Sequence, residues 1–261
     1  MTEVLKECIA RYQASSPGLA DIDKQLESLI RRSPRPSGER DRERGKTATA
    51  LPSPQPSPWQ GEGADELDTL IALYDQCYLL LEQAMWAGDA DFHALLRDYQ
   101  ALFREQEALI SRRGNDDRHH FIIGIPIADR PPHLRTCLES IYQVCTLFGY
   151  GGRKNGVYDK IKIVVAEDSR DENNIRRDQA LVVEYRRKGL QVFHFGLEEQ
   201  YALLHALPGS KRERLGNLLT TQPRDRFYLK GQAANRNLSY LKFRQLTEDK
   251  SKTLYYLIDS D

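Results

Sequence analysis

Apolar positions in this chain follow two different rhythms. In Val4–Tyr12 and Leu19–Ile30 they recur every three or four places. The same spacing resumes at Leu67, Leu70, Ile71, Tyr74, Cys77, Leu81 and Met85. After Gly88 it continues through Phe92, Leu95, Leu96, Tyr99, Leu102 and Phe103. A stripe of this period predicts amphipathic helices. Asp89 or Asp91 is placed to cap the last of them, which runs out near Gly114. Residues 1–114 therefore read as a helical hairpin or coiled-coil-like module, a candidate for self-association. Met85 and Trp86 read as packing positions of its helices.

From His119 onward the rhythm changes. "FIIGIPIA" (Phe121–Ala128), "KIKIVVAED" (Lys160–Asp168), "LQVFHFG" (Leu190–Gly196) and "TLYYLID" (Thr253–Asp259) are near-continuous apolar runs of strand length. Helical patterns separate them, at Leu134–Cys145, at Ala180–Arg187 and after Gly231. Strands covered on both faces lose the polar alternation of a half-exposed sheet, and strands alternating with helices pair in parallel. Residues 115–261 thus predict an α/β domain with a mostly parallel sheet. In such sheets ligands lie at the carboxyl ends of the strands. Tyr255 and Tyr256 are expected on opposite faces. Gly149–Gly156, "GYGGRKNG", lacks the spacing and the GK[ST] ending of a phosphate loop and reads as a flexible connection.

Composition changes the picture at one segment. Ser33–Ala64 is rich in Pro, Gly, Ser and Arg and nearly devoid of apolar residues, so it is expected to be disordered. Residues 31–46 hold seven Arg or Lys against three Asp or Glu, which reads as a solvated linker. "LPSPQPSPWQGEGA" resembles peptides translated from repetitive intergenic elements of bacterial genomes, which implies a tolerated insertion and a bacterial source. The whole chain, 261 residues, balances 38 Lys and Arg with 38 Asp and Glu, giving no general attraction to nucleic acid. No apolar run is long enough to span a bilayer. The acid-bearing N-terminus is unlike a secretory signal. Cys8, Cys77, Cys137 and Cys145 form no CxxC pair and read as buried reduced thiols of a cytoplasmic protein.

The polar clusters sit where the strands end. They are "PIADRPP" with Asp129 and Arg130, "EDSRDE" with Glu167, Asp168 and Asp171, and "DSD" with Asp259 and Asp261. "GQAANRN" adds Asn235, Arg236 and Asn237 at a helix start. Two aspartates one residue apart can share a hard cation, which in turn can hold a diphosphate leaving group. Arg236 and a helix N-terminus both favour phosphate.

Together these motifs resemble the nucleotide-binding half of a GT-A-type glycosyltransferase of the inverting family 2 kind. The pattern I-P-x-x-N-R followed by Leu-x-x-x-Leu-x-Ser stands here as "IPIADRPPHLRTCLESI". D-D-x-S-x-D stands as "AEDSRDE", G-x-x-x-A-R-N as "GQAANRN", and D-x-D as "IDSD". Asp129 replaces the usual Asn, and Glu167 replaces the first Asp of the second motif.

The resemblance implies an enzyme that transfers a sugar from a nucleotide-diphosphate donor, UDP- or GDP-linked by default, to an unidentified acceptor. It implies nucleotide-sugar contacts at Pro126, Asp129, Asp168, Arg236 and Asp259, and Mg2+ or Mn2+ held by Asp261 with Asp259. It also implies that the catalytic base, an Asp or Glu, comes after the D-x-D motif. The chain is then expected to carry only the donor-binding half, truncated just past that motif, with an exposed apolar edge at Leu254–Ile258. Two rival readings are a nucleotidyltransferase on a similar sheet and a non-enzymatic scaffold or oligomerisation protein. The first lacks its G-x-G-T-R-x-x-P-type loop in "IPIADRPP".

Overall fold

A computed structural model describes residues 2–14, 16–32, 62–88, 91–216 and 218–259. The segment expected to be disordered falls outside these, except that the third helix begins at Glu62. The chain divides into two compact units, Met1–Asn115 and Asp116–Asp261.

The first unit is helical: α1 (Glu3–Tyr12), α2 (Leu19–Arg32), α3 (Glu62–Ala87) and α4 (Phe92–Arg113). Their apolar stripes meet in one core that includes Leu5, Ile9, Leu26, Tyr74, Leu81, Leu95 and Leu102. The Asp91 carboxylate caps α4 by accepting from the N–H groups of His93 and Ala94. Gly114 ends it in the left-handed conformation that a side chain would oppose. Trp86 does not pack as expected: it is 86% exposed, on the opposite side of α3 from Tyr74, Cys77 and Leu81. Cys8 and Cys77 are buried in this unit.

The second unit runs β1 (His120–Ile127), α5 (Pro131–Phe148), β2 (Arg153–Lys154), β3 (Val157–Tyr158), β4 (Ile161–Glu167) and α6 (Glu172–Arg187). It continues through β5 (Gln191–Phe195), α7 (Leu197–His205), α8 (Gly209–Leu215), a 3-10 helix (Arg224–Leu229), α9 (Gln232–Leu246) and β6 (Thr253–Leu257). The main sheet has the order β5-β4-β1-β6, every pair parallel. The residues read as a flexible connection instead contain a hairpin, β2 against β3, turning at Asn155 and Gly156, both at positive φ.

Helices cover both faces. Ile125, Ile127, Ile163 and Val165 pack with Leu134, Leu138 and Tyr185 of α5 and α6. Ile122, Val164, Ala166 and Phe195 pack with Leu204, Leu238 and Phe243 of α7 and α9. Both sides of the sheet are apolar, which is why its strands read as unbroken runs. Gly124 lets α9 approach β1. A Cβ there would stand 2.5 Å from Phe243 Cζ and 2.7 Å from Leu257 Cδ2. On β6, Tyr255 packs against Phe243 while Leu254 and Tyr256 are exposed on the other face.

The chain steps from β1 outward to β4 and β5, then returns across the sheet to place β6 on the other side of β1. The reversal opens a crevice at the carboxyl ends of β1 and β6, where ligands of such sheets bind.

Candidate functional site

A cavity of about 400 Å³ occupies that crevice, lined by Pro126, Ala128, Arg130, Asp168, Tyr228, Gln232 and Asp259 among others. Two hydrogen bonds carry the strand pairing one step further and set its rim. Asp168 N–H donates to Ile127 O at 2.7 Å, and Ile258 N–H donates to Gly124 O at 3.0 Å.

The pleat sorts the acids. Successive residues of a strand point to opposite faces. Glu167 therefore turns toward α6, fully buried, while Asp168 turns toward α9 and the cavity. Asp168 Oδ1 accepts from the ammonium of Lys230, which is itself fully buried. Burial pushes the Lys230 pKa down, opposed by the negative charge of Glu167 and by the Asp168 carboxylate in contact with it. Arg170 stacks over Tyr228, its guanidinium carbon 5.7 Å from the ring centre.

On the other side of the crevice, Arg236 Nη2 donates to Asp259 Oδ1 at 2.6 Å. Arg236 Nε–H is buried and has no acceptor among the described residues. An orphaned buried donor calls for a ligand or water. Helix α9 starts at Gly231, whose φ of 83° favours glycine, and among the described residues no side chain caps its first N–H groups. Gln232, in that first turn, lines the cavity. Asn235 is buried and donates to Ala166 O at 3.2 Å, pinning this helix start to the end of β4.

Asp129 stands apart from the other expected contacts. At a φ of 53°, its carboxylate accepts from the N–H groups of Arg170 and Asp171 and from the Asn174 amide. Partial burial works the other way, but these donors hold its pKa below the ordinary value. Its own N–H donates to Ser169 Oγ at 2.6 Å. Asp129 thus shapes the loop after β4. Asp171 caps α6 by accepting from Asn173 N–H.

Beneath that loop lies a buried acidic pair, Glu167 of the second motif and Asp178, which no motif announces. Glu167 Oε1 accepts from Ser169 N–H at 2.8 Å, and Oε2 lies 3.2 Å from His194 Nε2. Asp178 of α6 is fully buried, and neither of its carboxyl oxygens has a hydrogen-bond partner among the described residues. Burial first, then the charge of Glu167, raises its pKa to about 8. Asp178 therefore carries a proton at neutral pH. It shares the apolar stripe of α6 with Leu181, Val182 and Tyr185, a spacing visible in the sequence. Lys230 gives no such signal beyond its place beside "GQAANRN".

Of the residues expected to hold a metal, Asp261 lies outside the described residues. Asp259 offers one carboxylate, with Oδ1 taken by Arg236. Among the described residues no cluster of three His, Cys, Asp or Glu could hold an ion. The described side chains do not by themselves build a cation site. Comparison with protein-family models, curated proteins and solved structures found no match. No helix among the described residues is long and apolar enough to cross a membrane.

Proposed function

We propose that the α/β unit binds a nucleoside diphosphate, as the donor half-site of a GT-A-like glycosyltransferase using a UDP- or GDP-linked sugar. The observation that carries this reading is that Asp168 and Asp259 line one crevice at the strand ends, with Arg236 bonded to Asp259 at its edge. Asp168 supplies an acceptor for the nucleoside. Arg236 and the uncapped N-terminus of α9 supply donors for the diphosphate. Donors already in place before the ligand arrives stabilise the charge that develops on a departing diphosphate. Asp259 shares Arg236 with that ligand, so binding exchanges one anionic partner for another. The loop held by Asp129 and Ser169 keeps Asp168 at the rim.

The test is calorimetric titration of UDP and of GDP into wild type and Arg236→Ala. Charge-assisted hydrogen bonds contribute enough that affinity for at least one nucleotide should fall roughly 10- to 100-fold. The urea midpoint should hardly move, because the Arg236–Asp259 pair is partly exposed and adds little to stability. Unchanged affinity in Arg236→Ala would remove the diphosphate from this site.

A further inference from the structure

Lys230 closes the junction between the 3-10 helix and α9. Its ammonium lies against Asp168 Oδ1 and 4.9 Å from the centre of the Phe227 ring. A buried ammonium is costly to desolvate, and an apolar side chain would fill the space more cheaply. Here the head group engages one carboxylate, and that carboxylate lines the cavity. Asp168 is held at both ends, its N–H by Ile127 O and its Oδ1 by Lys230. Among the described residues nothing bonds Oδ2, which leaves it for a ligand.

We propose that Lys230 is a positioning residue for nucleotide recognition, fixing Asp168 so that Oδ2 accepts a hydrogen bond from the nucleoside of the bound nucleotide. The inference rests on the nucleoside-diphosphate reading above. A carboxylate free to rotate loses part of that bond to side-chain entropy, and the ammonium removes the freedom beforehand. The charged groups that reach Lys230 are Asp168, in contact, and Glu167, acting from the end of β4.

The experiment is titration of UDP into the full chain at neutral pH. Wild type, Lys230→Met, Asp168→Asn and the double variant are compared, with circular dichroism as the check on folding. Lys230→Met should bind UDP about tenfold more weakly, the factor of one hydrogen bond to a charged group. The double variant should bind no more weakly than the worse single one, because the two side chains act as a unit. Wild-type affinity in Lys230→Met, or additive losses in the double variant, would overturn the proposal. If Lys230→Met does not fold, Asp168→Asn decides: undiminished UDP affinity in that variant sinks the idea. Absence of UDP binding by folded wild type instead refutes the nucleotide reading, and the proposal with it.

Discussion

Replacing Asp178 with Asn should stabilise the protein by about 2–4 kcal/mol near pH 8. The carboxyl is fully buried, and its pKa stands at about 8 against 3.8 for an ordinary aspartate. In the unfolded chain it loses its proton near the ordinary value, while in the folded chain it keeps the proton until about 8. Between those limits the folded state binds more protons, so this group's contribution is fully present below the lower limit. It is lost as pH rises through the upper one. Asn has nearly the same shape, does not titrate, and offers N–H donors to the Glu167 carboxylate. Urea unfolding of wild type and Asp178→Asn at about pH 5 and about pH 8 measures this, bracketing most of the window. Wild type should lose stability between them, and the variant should lose far less. A variant less stable than wild type at the higher pH would show that Asp178 is not the proton-bearing acid of this group.

Phe243→Ala should cost about 3–5 kcal/mol, the range for a large aromatic removed from a closed core. Phe243 is buried where α9 crosses β1 and β6, with its ring against Tyr255 and its edge over Gly124. The glycine and the ring are complementary. Gly124→Ala alone should cost about 1–3 kcal/mol, because the new methyl group meets Phe243 and Leu257 too closely. In the double variant the methyl group enters space the ring has vacated. The combined loss should fall short of the sum by at least about 0.5 kcal/mol. Urea midpoints of the four proteins close the cycle, and simple additivity would mean that the two positions do not share this contact. Because α9 also carries Arg236, Phe243→Ala should weaken UDP binding as well.

How much of this was legible in the sequence differs from element to element. The inner strands of the main sheet were visible because strands buried on both faces need continuous apolar runs, as in Ile161–Glu167, while β6 is an apolar run with one face exposed. The helices were visible through their stripes, with Asp91 and Gly114 marking the ends of α4. The hairpin at Asn155–Gly156 carried its own signal, an Asn-Gly turn, but its strands are two residues each and bear no apolar pattern. Trp86 misled because a helix stripe says which face is apolar, not whether every large residue belongs to it.

At the site, motif spacing brought Pro126, Asp168 and Asp259 to one cavity and Arg236 to its edge. It did not separate Glu167 from Asp168, although the pleat puts adjacent residues on opposite faces. Asp129 looked like a ligand contact and is engaged by the loop after β4. The Lys230–Asp168 pair joins residues 62 positions apart and depends on how the 3-10 helix docks, which no local pattern encodes.

The most direct test of the central claim is hydrogen exchange of the whole chain, followed by mass spectrometry with and without saturating UDP or GDP. The account predicts slower exchange confined to the strand ends and helix start that frame the crevice, residues 126–130, 168–171, 228–236 and 258–259. Protection elsewhere in the chain, or no protection with either nucleotide, would contradict it.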